Sequence, residues 1–543
     1  MRRMFSWFGM AAAVVSLAWL GDVTPRGNAQ GPPLDPVTSM TSTQRKARTI
    51  TGDVLVVESD TGLMFTGKKN VTGGKAIGLT TQRMLLERMR RAAVAARASN
   101  VIDNQPMASP PTITTGTSFT QTKNYYLAGS GVLTNQDKFT IVGGVPFANT
   151  SGSLAGNYLS VYSVSSTSGS NIGPPGIYQQ GWYIEGMTDA PTLVFSYFRT
   201  SESGVMIAVS ENGGPMQYTS MTPTPIFNNG NACGTNTGVV TIAFGSSKIR
   251  RVRIEFGNQQ VDETCGGSGG VLSVRGFFVD PGYSIWKPKD LDIVNAGGIG
   301  DSYTVQAPRD AGMQAVNWFR TASAKLGWRP TCMAQGGTGY SKVNGALPAA
   351  SDPLRLADLT AQPYDVFVFA LGTNDVSGND GTAVALPDIQ AKALTCFNAA
   401  RAANPIAPII VVAPWPRPTF PTQTQSDCAT AVAAAFNQFA DPNSLFIPIY
   451  ADPSGNWMAG TSYQGKLNSS NDISYRYIWA DAIHPVLAGH YYYGDRVAHA
   501  IRDWLMSTSV TDRGTGRIPS ESIAFAPLKR PVAREPEWLP KAA

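Results

Sequence analysis

Histidine is scarce in this chain, with three in 543 residues, and there are five cysteines. So few imidazoles exclude a histidine-rich metal centre, and the H-E-x-x-H spacing of zinc hydrolases does not occur. The phosphate-cradling G-x-x-x-x-G-K-[ST] loop and a complete G-x-G-x-x-G dinucleotide fingerprint are also missing. No metal and no cofactor is therefore expected. Charge is thin as well: Asp, Glu, Lys and Arg make up 15% of the residues and the net charge is +6. The basic residues are scattered except in 83–97 and the tail, which argues against nucleic acid as a partner. Beyond the N-terminus no apolar run reaches the roughly 18 residues that a membrane helix needs, so no stable membrane span is expected in the mature chain.

What is present begins with a leader. Arg2 and Arg3 precede an apolar segment, residues 4–20, and a small-residue site at Gly27-Asn28-Ala29. That layout predicts a signal peptide over 1–29 and a secreted or periplasmic product, an uncleaved anchor that leaves it on the cell surface being the alternative. An exported chain can carry disulfides. Cys233 and Cys265 share one β-rich stretch and are expected to pair; Cys396 with Cys428 is a second expected pair, leaving Cys332 as a buried thiol.

A chain of this length, 43% apolar, divides into two or three domains. Residues 30–111 read as a mixed N-terminal region: short strands at 49–57 and 63–65, a basic helix at 81–99 expected to pack against its own protein, and a linker at 104–111. Between 112 and 282 short apolar runs at 192–198, 205–209, 239–244, 249–256 and 271–278 are separated by Gly, Ser, Asn and Pro clusters, which predicts a β-sandwich of jelly-roll type. From 283 to 508 the texture changes. Strand-like runs at 329–333, 365–371, 409–413 and 445–450 alternate with helical patterns at 310–326, 387–403, 427–439 and 486–504, the pattern of a parallel sheet flanked by helices. The tail, 509–543, is Pro-rich and charged and predicts extended or disordered structure.

The run from Asp292 stops on glycines and presents Gly300-Asp301-Ser302, reading as a strand that feeds a Gly-rich turn at the carboxyl end of a parallel sheet. Three further stretches follow strands or precede the last helix: Gln335-Gly-Gly-Thr-Gly-Tyr340, Gly372-Thr-Asn-Asp375 and Asp481-Ala-Ile-His-Pro485. Each by itself is an ordinary turn or helix cap. Together they hold what acyl transfer needs. A serine hydroxyl requires a base, and the base requires an acceptor to fix its tautomer. Asp481, three residues before His484, can reach Nδ1 and leave Nε2 for Ser302. Asn374 adds a side-chain amide and Gly337 a backbone N–H for an oxygen that turns negative. A formal G-x-S-x-G at 266–270 lies in the β-rich stretch and reads as a flexible turn.

These four blocks, in this order, resemble the SGNH (GDSL-type) hydrolase family over roughly 290–505. The resemblance implies a three-layer, flavodoxin-like α/β/α domain with a parallel sheet. It implies Ser302 as nucleophile, His484 as base and Asp481 as orienter. The oxyanion donors would be the Ser302 N–H, Asn374 and one of Gly336, Gly337 and Gly339, with Gly337 preferred, while Asp301 and Asp375 support the loops. The expected activity is that of an exported serine ester hydrolase, a carbohydrate O-acetylesterase acting on acetylated polysaccharide or a small ester. An O-acyltransferase to a glycan, a lipase or arylesterase, and a non-catalytic surface binding protein are the alternatives. Trp182, Trp286, Trp415, Trp457 and Trp479 are the aromatic candidates for sugar contact.

Overall fold

The computed structural model describes residues 35–40, 49–50, 54–58, 64–66, 71–72, 75–76, 81–98 and 103–507, the last span without 150–157, 163–181, 200–203, 215, 221–223, 226–235, 257–271, 290–292, 306–316, 346, 377–383, 416–421, 450–456, 458–460 and 469–471. The expected leader, the tail, Cys233, Cys265 and the 266–270 turn lie outside the described residues. The chain divides into two units, 1–81 and 82–543. In the first, Val54–Glu58 pairs in parallel with Asp35–Met40 and antiparallel with Met64–Thr66.

The second unit contains a five-stranded sheet whose strands are β1 (Val294–Gly300), β2 (Trp328–Cys332), β3 (Val366–Ala370), β4 (Ile409–Val412) and β5 (Leu445–Ile447). Their order is β2-β1-β3-β4-β5, with every pair parallel. β3 is apolar at every position because both of its faces are covered. Val366 and Val368, with Ile410 and Val412, join a core that includes Trp318, Phe319, Val497 and Ile501. Phe367 and Phe369, with Ile409 and Val411, meet Ile389, Phe397 and Val432 on the other side. The covering helices are α1 (Thr81–Ala98), α2 (Trp318–Leu326) and α5 (Leu487–Ser507) on the first face, and α3 (Leu386–Ala403) and α4 (Thr422–Phe439) on the second. Connections run in opposite directions from β1, so the topological switch point, where open α/β sheets place their ligands, lies at the carboxyl ends of β1 and β3.

Three expectations change. The glycines of β1 do not end the strand, which runs on to Gly300. They sit inside it because rings press on the backbone: a Cβ at Gly298 would overlap the Phe319 ring, and one at Gly297 would overlap Met333 and crowd Tyr364. The basic helix α1 belongs to the α/β core rather than to an N-terminal region, since Leu85, Met89, Ala92 and Ala93 enter the first-face core and Arg90 donates from Nε and Nη2 to Leu505 O at 2.9 and 2.7 Å. The expected linker begins as a strand, Asp103–Pro106, paired in parallel with Gln217–Tyr218. An edge position tolerates its proline, which has no N–H to donate.

The β-rich segment forms two sheets. One runs Thr140–Val142, Trp182–Thr188, Arg250–Phe256, Gly204–Glu211, Gln217–Tyr218, Asp103–Pro106; the other runs Val145–Asn149, Tyr158–Tyr162, Leu272–Val279, Thr192–Arg199, Asn236–Ala243, Thr112–Gly116. Ile184, Ile207 and Ile254 of the first share one apolar core with Phe195, Val240 and Phe277 of the second. The first sheet's opposite side carries Tyr183, Glu185, Arg253 and Glu255. Arg320 of α2 lies 5.7 Å from the Tyr183 ring centroid, so this polar side faces the α/β layers. Glu185 is 1% exposed and accepts from Arg251 and Arg253, the latter at 2.7 Å.

The Cys396–Cys428 pairing is not formed. Cys332, Cys396 and Cys428 are free, buried thiols. Cys396 packs among α3 side chains, while the Cys428 thiol donates to Gly372 O at 3.3 Å, so each is already satisfied as a small core residue. Burial pushes the Cys332 and Cys396 thiols up to about 12. Among the described residues no helix is long and apolar enough to cross a membrane.

Candidate active site

Ser302 opens a four-residue helix, Ser302–Val305, directly after β1. A Cβ at Gly300 would overlap the Thr304 side chain, so the strand can turn this sharply into the helix only with glycine there. Asp301, fully buried, accepts the Tyr303 N–H at 3.0 Å. These contacts hold the Ser302 hydroxyl at the sheet's carboxyl edge.

His484 arrives from a turn before α5. Trp479 N donates to His484 O and Ala482 N to Trp479 O, each at 2.9 Å, closing the loop on itself. Ala482 takes φ 61°, the left-handed region that costs a non-glycine residue about 1 kcal/mol. Asp481 Oδ1 accepts from both Ile483 N and His484 N at 2.9 Å, which offsets that strain. Its Oδ2 lies 2.7 Å from His484 Nδ1, and His484 Nε2 lies 3.0 Å from Ser302 Oγ. Burial raises the Asp481 carboxyl, but the His484 ring and the two backbone N–H groups outweigh it and hold the pKa at about 2. The carboxylate is thus ionised over the working range and fixes the proton on Nδ1, leaving Nε2 as acceptor.

Asn374 and the glycine block sit in mutually anchored loops. Asn374, 9% exposed, gives one Nδ2 hydrogen to Thr338 O at 3.0 Å and keeps a second. Asp375 accepts from Tyr340 N, Ser341 N and Lys342 N at 2.8, 2.9 and 2.8 Å, clamping the glycine block. Burial raises its pKa against those three donors. Of the three glycines left open by sequence, Gly339 uses its N–H on Lys342 O at 2.9 Å, and a Cβ there would fall on the Asp375 carboxylate. Gly336 and Gly337 remain as donors, and Gly337 has φ 74°.

The structure joins Ser302, His484 and Asp481 by hydrogen bonds, and it places Asp301, Gly337, Asn374 and Asp375 in the segments that follow β1, β2 and β3. Arg355 was missed. It is 3% exposed and sends hydrogen bonds to Thr338 Oγ1 at 3.1 Å, Met333 O at 2.9 Å and Gly300 O at 3.5 Å. No motif marks it; only its burial, in the short helix Pro353–Leu356 between β2 and β3, reveals it. Burial pulls its pKa down, opposed by Asp358, whose own carboxyl burial lifts to about 8.

The other histidines are placed elsewhere. His490 is fully buried, accepts the Trp318 N–H on Nδ1 at 3.2 Å, and is held neutral by burial with a pKa of about 3. His499 is exposed beside Asp495. Among the tryptophans, Trp182, Trp415 and Trp457 are no more than 1% exposed and serve as core, Trp182 stacking on Phe256 at 4.0 Å. Trp286 and Trp479 are half-buried. Among the described residues no group of three or more His, Cys, Asp or Glu side chains is gathered to hold a metal ion.

Similarity to known proteins follows this geometry. No curated protein matches the chain. Among solved structures, a salicylyl-acyltransferase from a tetracycline biosynthetic pathway is 13% identical with a TM-score of 0.47, covering 69% of this chain and 98% of that one. A family two carbohydrate esterase from Clostridium thermocellum is 16% identical with a TM-score of 0.45, covering 68% and 99%. An acetyl xylan esterase from Butyrivibrio proteoclasticus is 15% identical with a TM-score of 0.46, covering 72% and 100%. The model of the GDSL-like Lipase/Acylhydrolase family matches residues 299–491, from the end of β1 into α5, and this segment of the chain is an SGNH hydrolase domain of that family.

Proposed function

We propose that the protein is a serine ester hydrolase that works through an acyl-enzyme, with Ser302 as nucleophile, His484 as base and Asp481 as orienter. The observation that carries the reading is the continuous relay from Asp481 Oδ2 through the His484 ring to Ser302 Oγ, at 2.7 and 3.0 Å. Ser302 Oγ attacks the ester carbonyl as its proton passes to Nε2. The carbonyl oxygen, now negative, takes hydrogen bonds from the Ser302 N–H, the second Asn374 Nδ2 hydrogen and the Gly337 N–H. Each such donor contributes about 3 kcal/mol to the transition state. His484 then protonates the leaving alkoxide as its bond to the carbonyl carbon breaks; in the second half-reaction it takes a proton from water as that water attacks the acyl-serine, and returns it to Ser302 Oγ as the acyl–Oγ bond breaks and the acid leaves.

As substrate we propose O-acetyl groups on a polysaccharide, met outside the cytoplasm. The leader-like start supports export, and the two facing sheets, read as a jelly-roll sandwich, support a polymeric glycan. Trp479 supports a sugar near the reacting bond, because its backbone is bonded to that of His484 and its side chain stays partly open. Acetate release from acetylated xylan, run beside p-nitrophenyl esters from acetyl to long acyl chains, tests the substrate. Acetyl preference and polymer deacetylation are expected; a preference for long chains would overturn it. Ser302→Ala should lower turnover at least 10³-fold, on the order seen for loss of such a nucleophile, and abolish fluorophosphonate labelling. Unchanged turnover in that variant defeats the mechanism.

A further inference from the structure

We propose that Arg355 is a positioning residue for the oxyanion pocket: one guanidinium holds together the strand ends that carry Ser302, the glycine block and, through Thr338, Asn374. This rests on the serine-hydrolase reading and extends it to a residue outside the four blocks.

The group is nearly sealed from solvent, yet among the described residues each of its hydrogen bonds ends on a neutral acceptor. A buried cation is ordinarily neutralised by a carboxylate, because leaving it uncompensated is costly. Here backbone carbonyls and two side-chain oxygens take that part. Nη2 reaches Met333 O at 2.9 Å and Gly300 O at 3.5 Å, joining the end of β2 to the residue two before Ser302. Nη1 reaches Thr338 Oγ1 at 3.1 Å, and Gln335 Oε1 and Pro348 O at 3.4 Å. The Thr338 hydroxyl donates onward to Gln335 O at 2.8 Å, and Thr338 O receives the Asn374 amide at 3.0 Å.

One rigid fork therefore sets where three loops stand relative to one another. A lysine ammonium, a single point on a flexible stem, cannot span both sets of acceptors. The Asp358 and Asp301 carboxyls act on it through space but take no hydrogen bond from it, so its donors stay committed to the loop acceptors. Misplacing reacting groups by about 1 Å can cost on the order of 100-fold in rate. The damage should appear in the transition state and spare ground-state binding.

The test uses the full chain with p-nitrophenyl acetate and a small boronic acid that forms a tetrahedral adduct on Ser302, with circular dichroism and thermal melting as the check of folding. Arg355→Lys should lower kcat roughly 10- to 100-fold with KM within about twofold, and weaken the boronate by the same factor as kcat/KM. Thr338→Val should act in the same direction, and Thr338→Ser should restore the rate. Folded Arg355→Lys with wild-type kcat, or with unchanged boronate affinity, overturns the proposal. Should Arg355→Lys fail to fold, Thr338→Val decides, and wild-type kcat there overturns it. Ser302→Ala separates the two levels. Turnover that survives in Ser302→Ala brings down the hydrolase reading itself; a dead Ser302→Ala beside a fully active Arg355→Lys brings down only the positioning role.

Discussion

Asp481 carries two tasks that one carboxylate can meet only because its oxygens point in different directions. Oδ1 caps the turn through the Ile483 and His484 N–H groups, and Oδ2 orients the ring. Asp481→Asn preserves the first if the amide oxygen takes that place, but presents an N–H to Nδ1. The ring must then carry its proton on Nε2, facing Ser302. A fall in kcat of about 10²- to 10⁴-fold is expected, measured on p-nitrophenyl acetate with folding unchanged. Because the folded pKa is held near 2, below its unfolded value, the carboxylate's contribution to stability is complete above about pH 4 and disappears as pH falls toward 2. Ser302, His484 and Asp481 were legible in sequence because short blocks in fixed order carry them. Arg355 was not, since an arginine in a four-residue helix looks like any surface arginine until its burial is seen.

At the scale of elements, the glycines that looked like turn residues are records of crowding. Gly297 and Gly298 lie within β1 where ring side chains meet the backbone, and Gly339 lies against the Asp375 carboxylate. Gly339→Ala should displace that carboxylate and release the Tyr340, Ser341 and Lys342 N–H groups it gathers. The expected outcome is a loss of about 1–3 kcal/mol in unfolding free energy, measured by denaturant titration, with a drop in kcat larger than in KM. Sequence periodicity located β3, β4 and β5 to within a few residues, because these parallel strands are apolar at every position, but it began the helix before β2 at 310 where Asn317 caps it at Trp318. It misplaced α1, whose alanine-rich apolar stripe says that it packs but not on what.

Across the whole molecule, the strand Arg250–Phe256 shows how little a local pattern says about what covers a face. Its alternation of charged and apolar residues marks two faces, as a half-solvated strand would. The charged face is in fact largely covered, with Glu185 sealed between the partly buried Arg251 and Arg253 and the Tyr183 ring 4.3 Å from Arg253. Burial raises the Glu185 carboxyl, but the two guanidiniums outweigh it and keep it below the usual range. Glu185→Ala removes a carboxylate shared by Arg251 and Arg253, of which Arg253 keeps Glu255 at 3.6 Å, and should cost about 1–3 kcal/mol, read by thermal or denaturant unfolding, while kcat of the folded variant stays near wild type. A stability change under 1 kcal/mol would show that solvent reaches the face after all.

The sequence by itself determined the class of fold, the alternation of strands and helices, and the residues of the relay, because those depend on local periodicity and on chemistry confined to short blocks. Tertiary structure decided which glycine N–H is already engaged, that Cys396 and Cys428 stay reduced, that three of five tryptophans are core, and that Arg355 underlies the site. All of these depend on contacts between residues far apart in the chain, where burial and exact approach, invisible to any local pattern, set what a side chain can do.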